Sequence, residues 1–189
     1  MRQRPLLAVI AGQLAPTDQV FNGDGTKRAS YSDYGAPVHS VAAGTVVNRY
    51  DETDEQTSNR PVKGINTESI GGNMLVIDIG GDNYAFYAHL HRGSLKVNPG
   101  YHVAAGQVIR LLGNTTAPHL RSHQMDGRSP LNTNRRPFAV THFTSRGVTD
   151  LDATDDPMKN RTSVKIDSSR LTGRRTNEMP LNNEVIDFQ

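Results

Sequence analysis

The stretch NMLVIDIGGDNYAFYAHL, residues 73–90, restricts the fold more than any other part of the chain. Two runs rich in β-branched and aromatic residues are joined by GGDN, a strong β-hairpin signal. In the second run, alternation assigns Tyr84, Phe86, Ala88 and Leu90 to one face and Ala85, Tyr87 and His89 to the other. The same pattern of short apolar runs bounded by glycine recurs along the sequence, which holds 17 Gly, 10 Pro and no Trp. It points to an all-β chain with tight turns.

Other segments follow this pattern. Residues 6–11 (LLAVIA) form a candidate buried strand, and residues 15–35 are loop-like. APVHSVAAGTVVNRY contains two β-branched runs separated by AAG, a hairpin or a tight corner. Residues 51–72 are polar and read as a long surface loop. LKVNPGYHVAAGQVIRLLGN offers short strands between NPG and AAG turns. APHLRSHQMDG reads as an extended strand whose period of two puts His119, Arg121 and His123 on one face, with Leu120 and Ser122 on the other. RPFAVTHF suggests a further strand. Beyond residue 144 the pattern weakens, and only VKI and EVIDF look like strands. A β domain over residues 1–144 is therefore expected, with residues 145–189 as an irregular extension packed on it.

Composition excludes several function classes. The 189 residues carry 21 basic and 19 acidic side chains, interspersed, for a net charge of +2. No basic tract with interleaved aromatics occurs, which argues against nucleic acid. The absence of cysteine removes disulfides and thiolate metal sites. No apolar run reaches the ~18 residues that a membrane helix needs. MRQRPLLAVIAGQLA places two arginines before a short apolar run, at the short limit of a signal peptide. It is read here as an apolar strand, so no export signal is assigned and the compartment stays open.

Chemistry centres on seven histidines: His39, His89, His91, His102, His119, His123 and His142. His89 ends a strand after Tyr87, and His119 shares a strand face with His123. GAPVHSVAAGTVV, GNMLVIDIGGDNYAFYAHL, LKVNPGYHVAAGQVIRLLGN and PHLRSHQMDG follow one another in order. Together they resemble the core of the lysostaphin/LytM-type zinc metallopeptidases, best over residues 35–127. GRRTNEMPLNNEVIDF also resembles the tail of a longer subgroup.

The resemblance implies an antiparallel β-sheet core with a groove walled by loops, of the LytM or duplicated-hybrid-motif kind. It also implies hydrolysis of peptide cross-bridges in peptidoglycan, outside the cell or in its envelope. In the family a His and an Asp of an early H-x-x-x-D motif, with the last His of a late H-x-H, hold zinc. That set leaves a position open for water, which zinc activates. The first His of H-x-H and the His of a YAH strand move protons or steady the oxyanion.

Carried over by position, the assisting histidines fall on His89 and His119. The last ligand falls on Arg121, and the early pair falls near Leu6 and Ile10. No histidine precedes His39 and no acidic residue precedes Asp18. Zinc is thus the family's cofactor, yet no metal ligand is assigned here. Guanidinium has no lone pair to offer a metal. Arg121 either pairs with a carboxylate of the protein or a ligand, or points to solvent. Tyr87, Arg121 and His123 are candidate binding residues. The expected function is that of an inactive or weakly active homologue, a pseudoenzyme that binds a cell-wall or other peptide. The rival is an active metalloendopeptidase with relocated ligands, such as His89, His119 and His123, or with an incomplete N-terminus.

Overall fold

The computed structural model describes residues 9–23, 25, 27–56, 71–94, 96–115, 119–149 and 162–188. Among them run β1 (Val9–Ala11), β2 (Pro37–His39), β3 (Gly44–Tyr50), β4 (Met74–Gly80), β5 (Asn83–Ala88), β6 (His102–Val103) and β7 (Val108–Leu111). β8 (Leu120–Met125), β9 (Arg135–Arg136), β10 (Val140–Thr149), β11 (Ile166–Asp167), β12 (Gly173–Glu178) and β13 (Glu184–Phe188) complete the set. A 3-10 turn at Arg28–Ser30 interrupts the loop before β2. The chain is all-β, and every strand pairing is antiparallel.

The described residues fall into two compact units, one within residues 1–13 and 24–136, the other within 14–23 and 137–189. In the first, the GGDN hairpin lies in the middle of a sheet ordered β1-β8-β5-β4-β3-β6, with β9 on β8. Gly81 and Asp82 take φ of 59° and 56°, the paired positive values of a type I′ turn, whose twist matches that of the strands. AAG at 42–44 makes a corner and not a hairpin, since β2 pairs with β7 while β3 pairs with β4 and β6. Glycine is required there: a Cβ on Gly44 would lie 2.3 Å from the Asp78 carbonyl oxygen.

Both faces of its central strands β4 and β5 are largely buried. Val46, Leu75, Ile77, Ala85 and Tyr87 join Val38, Leu90, Val97, Val103, Ile109 and Leu112 in one cluster. Met74, Val76, Phe86, Ala88 and Met125 form the other. Burial on both sides explains why β4 begins as an unbroken apolar run. Each large side chain so buried contributes about 1.5–3 kcal/mol.

In the second unit β10 pairs with β11, β12 and β13. Phe143, Ser145 and Gly147 alternate as its buried positions. The irregular chain expected after residue 144 is corrected for these strands, and the expected 144/145 boundary falls inside β10. β12, GRRTNE, has no residue fully buried. Its backbone ladder to β10 defines it, so no apolar alternation marks it in the sequence.

Arg110 fixes one end of the first unit. Its side chain is fully buried. Nη2 pairs with the Asp51 carboxylate, and Nε donates to the His91 carbonyl at 2.8 Å. Asp51 also accepts the Gly93 amide N–H at 3.2 Å. Removing one partner of a buried pair leaves the other charge uncompensated. Asp51→Ala is expected to destabilise the protein by about 3 kcal/mol or more, read as a lower urea midpoint at unchanged slope.

Candidate functional site

β5 ends at Ala88, and His89 turns out of the strand with φ of 63°. A side-chain-bearing residue pays roughly 1 kcal/mol or more there, so surrounding bonds must hold it. They do so from both sides. The His89 amide donates to the Gly71 carbonyl at 2.9 Å, and its own carbonyl accepts the Gly113 amide at 2.9 Å. The next amide, Leu90, donates to the Asn73 carbonyl at 3.0 Å. Asn73 is buried, and its side chain clasps Thr53 through Nδ2–H to the Thr53 carbonyl and Oδ1 from the Thr53 amide. Gly72 admits no side chain, because a Cβ would sit 2.1 Å from Thr115 Oγ1. The left-handed residue also breaks the alternation expected for 84–90: Leu90 joins Tyr87 in its cluster instead of Phe86.

β8 supplies the second wall. Its register against β5 is Tyr84 with Met125, Phe86 with His123 and Ala88 with Arg121. Residues directly opposite share a face, so Arg121 and His123 lie on the face of Phe86 and Ala88. β9 extends it, with Arg135 opposite Met125. On the other side of β8, β1 places Ile10 opposite Arg121.

The structure brings His89 and His119 together, ring centroids 4.8 Å apart and nearly perpendicular. His123 instead packs on Phe86 at 4.6 Å, and its buried Nδ1 has no hydrogen-bond partner. Tyr87, expected to touch ligand, is corrected to a core residue: it is 1% exposed, and its hydroxyl oxygen accepts the Val41 amide N–H at 2.9 Å. His39, His91 and His102 have their Nδ1 atoms tied to Gly106, Arg92 and Thr45 respectively. Arg135 is the residue that sequence reading missed. Nothing in NTNRRP marks it; only the β8–β9 register brings it to this face.

Burial dominates the electrostatics. It lowers His89 to about 3, helped by His119 and Arg121, with a hydrogen bond to the Gly71 backbone opposing. Burial and then Arg121 lower His119. Burial, Arg135 and Arg121 lower His123 to about 4. Burial and then Arg135 lower Arg121, which as a guanidinium stays charged near neutrality. The site at pH 7 thus holds three neutral imidazoles and two guanidinium groups. Elsewhere Arg110 meets Asp51, Arg92 meets Asp54 and Arg146 meets Asp18. Arg121 and Arg135 have no carboxylate partner among the described residues.

Two facing imidazoles could bind a metal, but zinc sites need a third protein donor. Among the described residues no group of three His, Cys, Asp or Glu side chains could hold an ion. A guanidinium such as that of Arg121 offers a metal no lone pair.

The sequence matches Peptidase family M23 over residues 29–133. The chain belongs to that family. The matched span runs from before β2 through β8 and includes His89, His119, Arg121 and His123, but not β1. No curated protein matches the chain. Among solved structures it is similar to LytU, at 23% identity over 54% of this chain and 62% of that one, with a TM-score of 0.39. The chain thus spans less than two thirds of the LytU structure. The catalytic domain of lysostaphin from Staphylococcus simulans is 20% identical over 66% of this chain and 88% of that one, with a TM-score of 0.37. A point mutant of the catalytic domain of the prophage-encoded M23 protein EnpA from Enterococcus faecalis is 14% identical over 71% and 92%, with a TM-score of 0.41.

The buried histidines are expected to make the M23 domain acid-sensitive. A group whose pKa is lowered by folding is protonated first in the unfolded chain, so stability present above the unfolded value is lost as pH falls. For His89 and His123 that loss begins near pH 6.5 and continues towards about 3 and about 4. Asp33 works the other way: burial raises it from 3.8 to about 6, so it favours the fold as pH falls through that window. The melting temperature is expected to drop between pH 7 and 4. His123→Leu should flatten the drop and Asp33→Asn should steepen it.

Proposed function

We propose that this M23 family member is a peptide-binding homologue of the cell-wall metallopeptidases in which zinc-dependent hydrolysis is lost or weak. Arg121 carries the reading. The sequence resemblance assigns it to the family's last ligand; it lies opposite Ala88, and its charge helps lower both His89 and His119. When bound in the family, zinc supplies a polarised carbonyl and an activated water.

What this chain's own residues can do is bind. Neutral His89 and His119 can donate and accept hydrogen bonds to a peptide backbone. The clamped backbone of His89 keeps its ring oriented without ligand, which lowers the ordering cost of binding. A cell-wall peptide is the ligand that the family suggests, and the cell envelope or exterior is the matching location. No helix among the described residues is long and apolar enough to cross a membrane. The rival His89–His119–His123 metal site gains no support, since His123 packs on Phe86 and the other two pack on each other.

Purified protein incubated with excess zinc and then desalted should retain well under one equivalent by elemental analysis. Arg121→His alone should change little. Combined with Leu6→His and Ile10→Asp, which restores the three family donors, it should retain roughly one zinc per chain. Stoichiometric zinc together with peptide cleavage by the unaltered protein would overturn the reading.

A further inference from the structure

Resting on the peptide-binding reading, we infer that the face formed by Arg121, His123 and Arg135 is a carboxylate site, and that the bound peptide presents its C-terminal carboxylate to it. Three independent observations lead there. First, the two guanidinium groups lie on one face by register, Arg121 opposite Ala88 and Arg135 opposite Met125, with His123 between them on β8. Second, neither has a carboxylate partner among the described residues, although the same protein gives one to Arg92, Arg110 and Arg146. Arg136, the neighbour pointing to the opposite face, is itself satisfied by Asn83 Oδ1 at 2.8 Å. Third, His123 is only 6% exposed, yet its Nδ1 has no hydrogen-bond partner.

Two like charges left together in a partly buried place disfavour the empty state, and an anion relieves both the repulsion and the lost hydration. A planar carboxylate offers two oxygens that match the guanidinium fork. His123 in the tautomer with Nδ1–H holds an unpaired donor on the same face. A C-terminal carboxylate is placed at the end of a peptide, where no following residue has to be accommodated beside the two guanidinium groups. The residues act by binding alone, with no bond made or broken.

Titration calorimetry on the full chain tests this with three forms of one short peptide carrying an internal glutamate: the free C-terminal acid, the C-terminal carboxamide, and the acid with its glutamate side chain amidated. The free acid should bind at least about tenfold more tightly than the carboxamide. Amidating the glutamate should leave affinity unchanged, and moderate salt should reduce the acid's advantage. Arg121→Met should abolish that advantage, and Arg135→Met should reduce it, each variant being checked for an unchanged near-UV spectrum. Equal binding of acid and C-terminal carboxamide would overturn the carboxylate site while leaving peptide binding intact. Dependence on the glutamate instead would overturn the terminal assignment. Competition by inorganic phosphate as strong as by the peptide would reduce the face to a general anion site and overturn the inference. Binding of none of the three would overturn both this inference and the reading it rests on. The wild-type comparison decides even if the variants fail to fold.

Discussion

The ladder between β5 and β8 is the constraint on which the site depends. Its register sets Phe86 against His123 and Ala88 against Arg121. A slip of one residue would send Arg121 and His123 to the Tyr87 side, into the apolar core. That slip is blocked by packing on both faces, since Ala85 and Tyr87 belong to one cluster and Phe86 and Ala88 to the other. The charges at the site are therefore held by hydrophobic burial some residues away, and the conformation of His89 is imposed by the Gly71, Asn73 and Gly113 backbone.

Magnitudes favour the guanidinium over a metal. A unit charge and a dication about 5 Å apart repel by roughly 7 kcal/mol at an effective dielectric near 20. Full structural zinc sites gain roughly 10–16 kcal/mol with four ligands, and two imidazoles supply half that set. Burial, helped by the Arg121 charge, lowers the pKa of both His89 and His119.

The hairpin was legible because GGDN needs positive φ at two positions and the flanking runs need burial; both are local properties. The placement of His119, Arg121 and His123 on one face followed from the period of a strand. Leu90 was misplaced because a single left-handed residue, His89, resets the alternation, and nothing local marks a histidine for that conformation. Tyr87 looked like a ligand-binding residue by motif, but only the three-dimensional position of Val41 shows where its hydroxyl goes. Arg135 and β12 were illegible for a shared reason. Each is defined by a long-range backbone pairing in a polar segment, where no hydrophobic pattern records the partner.

The central claim is that a fixed cation stands where the family's metal would bind. Crystals grown in excess zinc, with anomalous diffraction recorded on both sides of the zinc absorption edge, test it most directly. The account predicts no anomalous peak between the His89 and His119 rings, with the Arg121 guanidinium remaining on that face. A peak about 2.1 Å from both imidazole nitrogens, with Arg121 displaced, would contradict it.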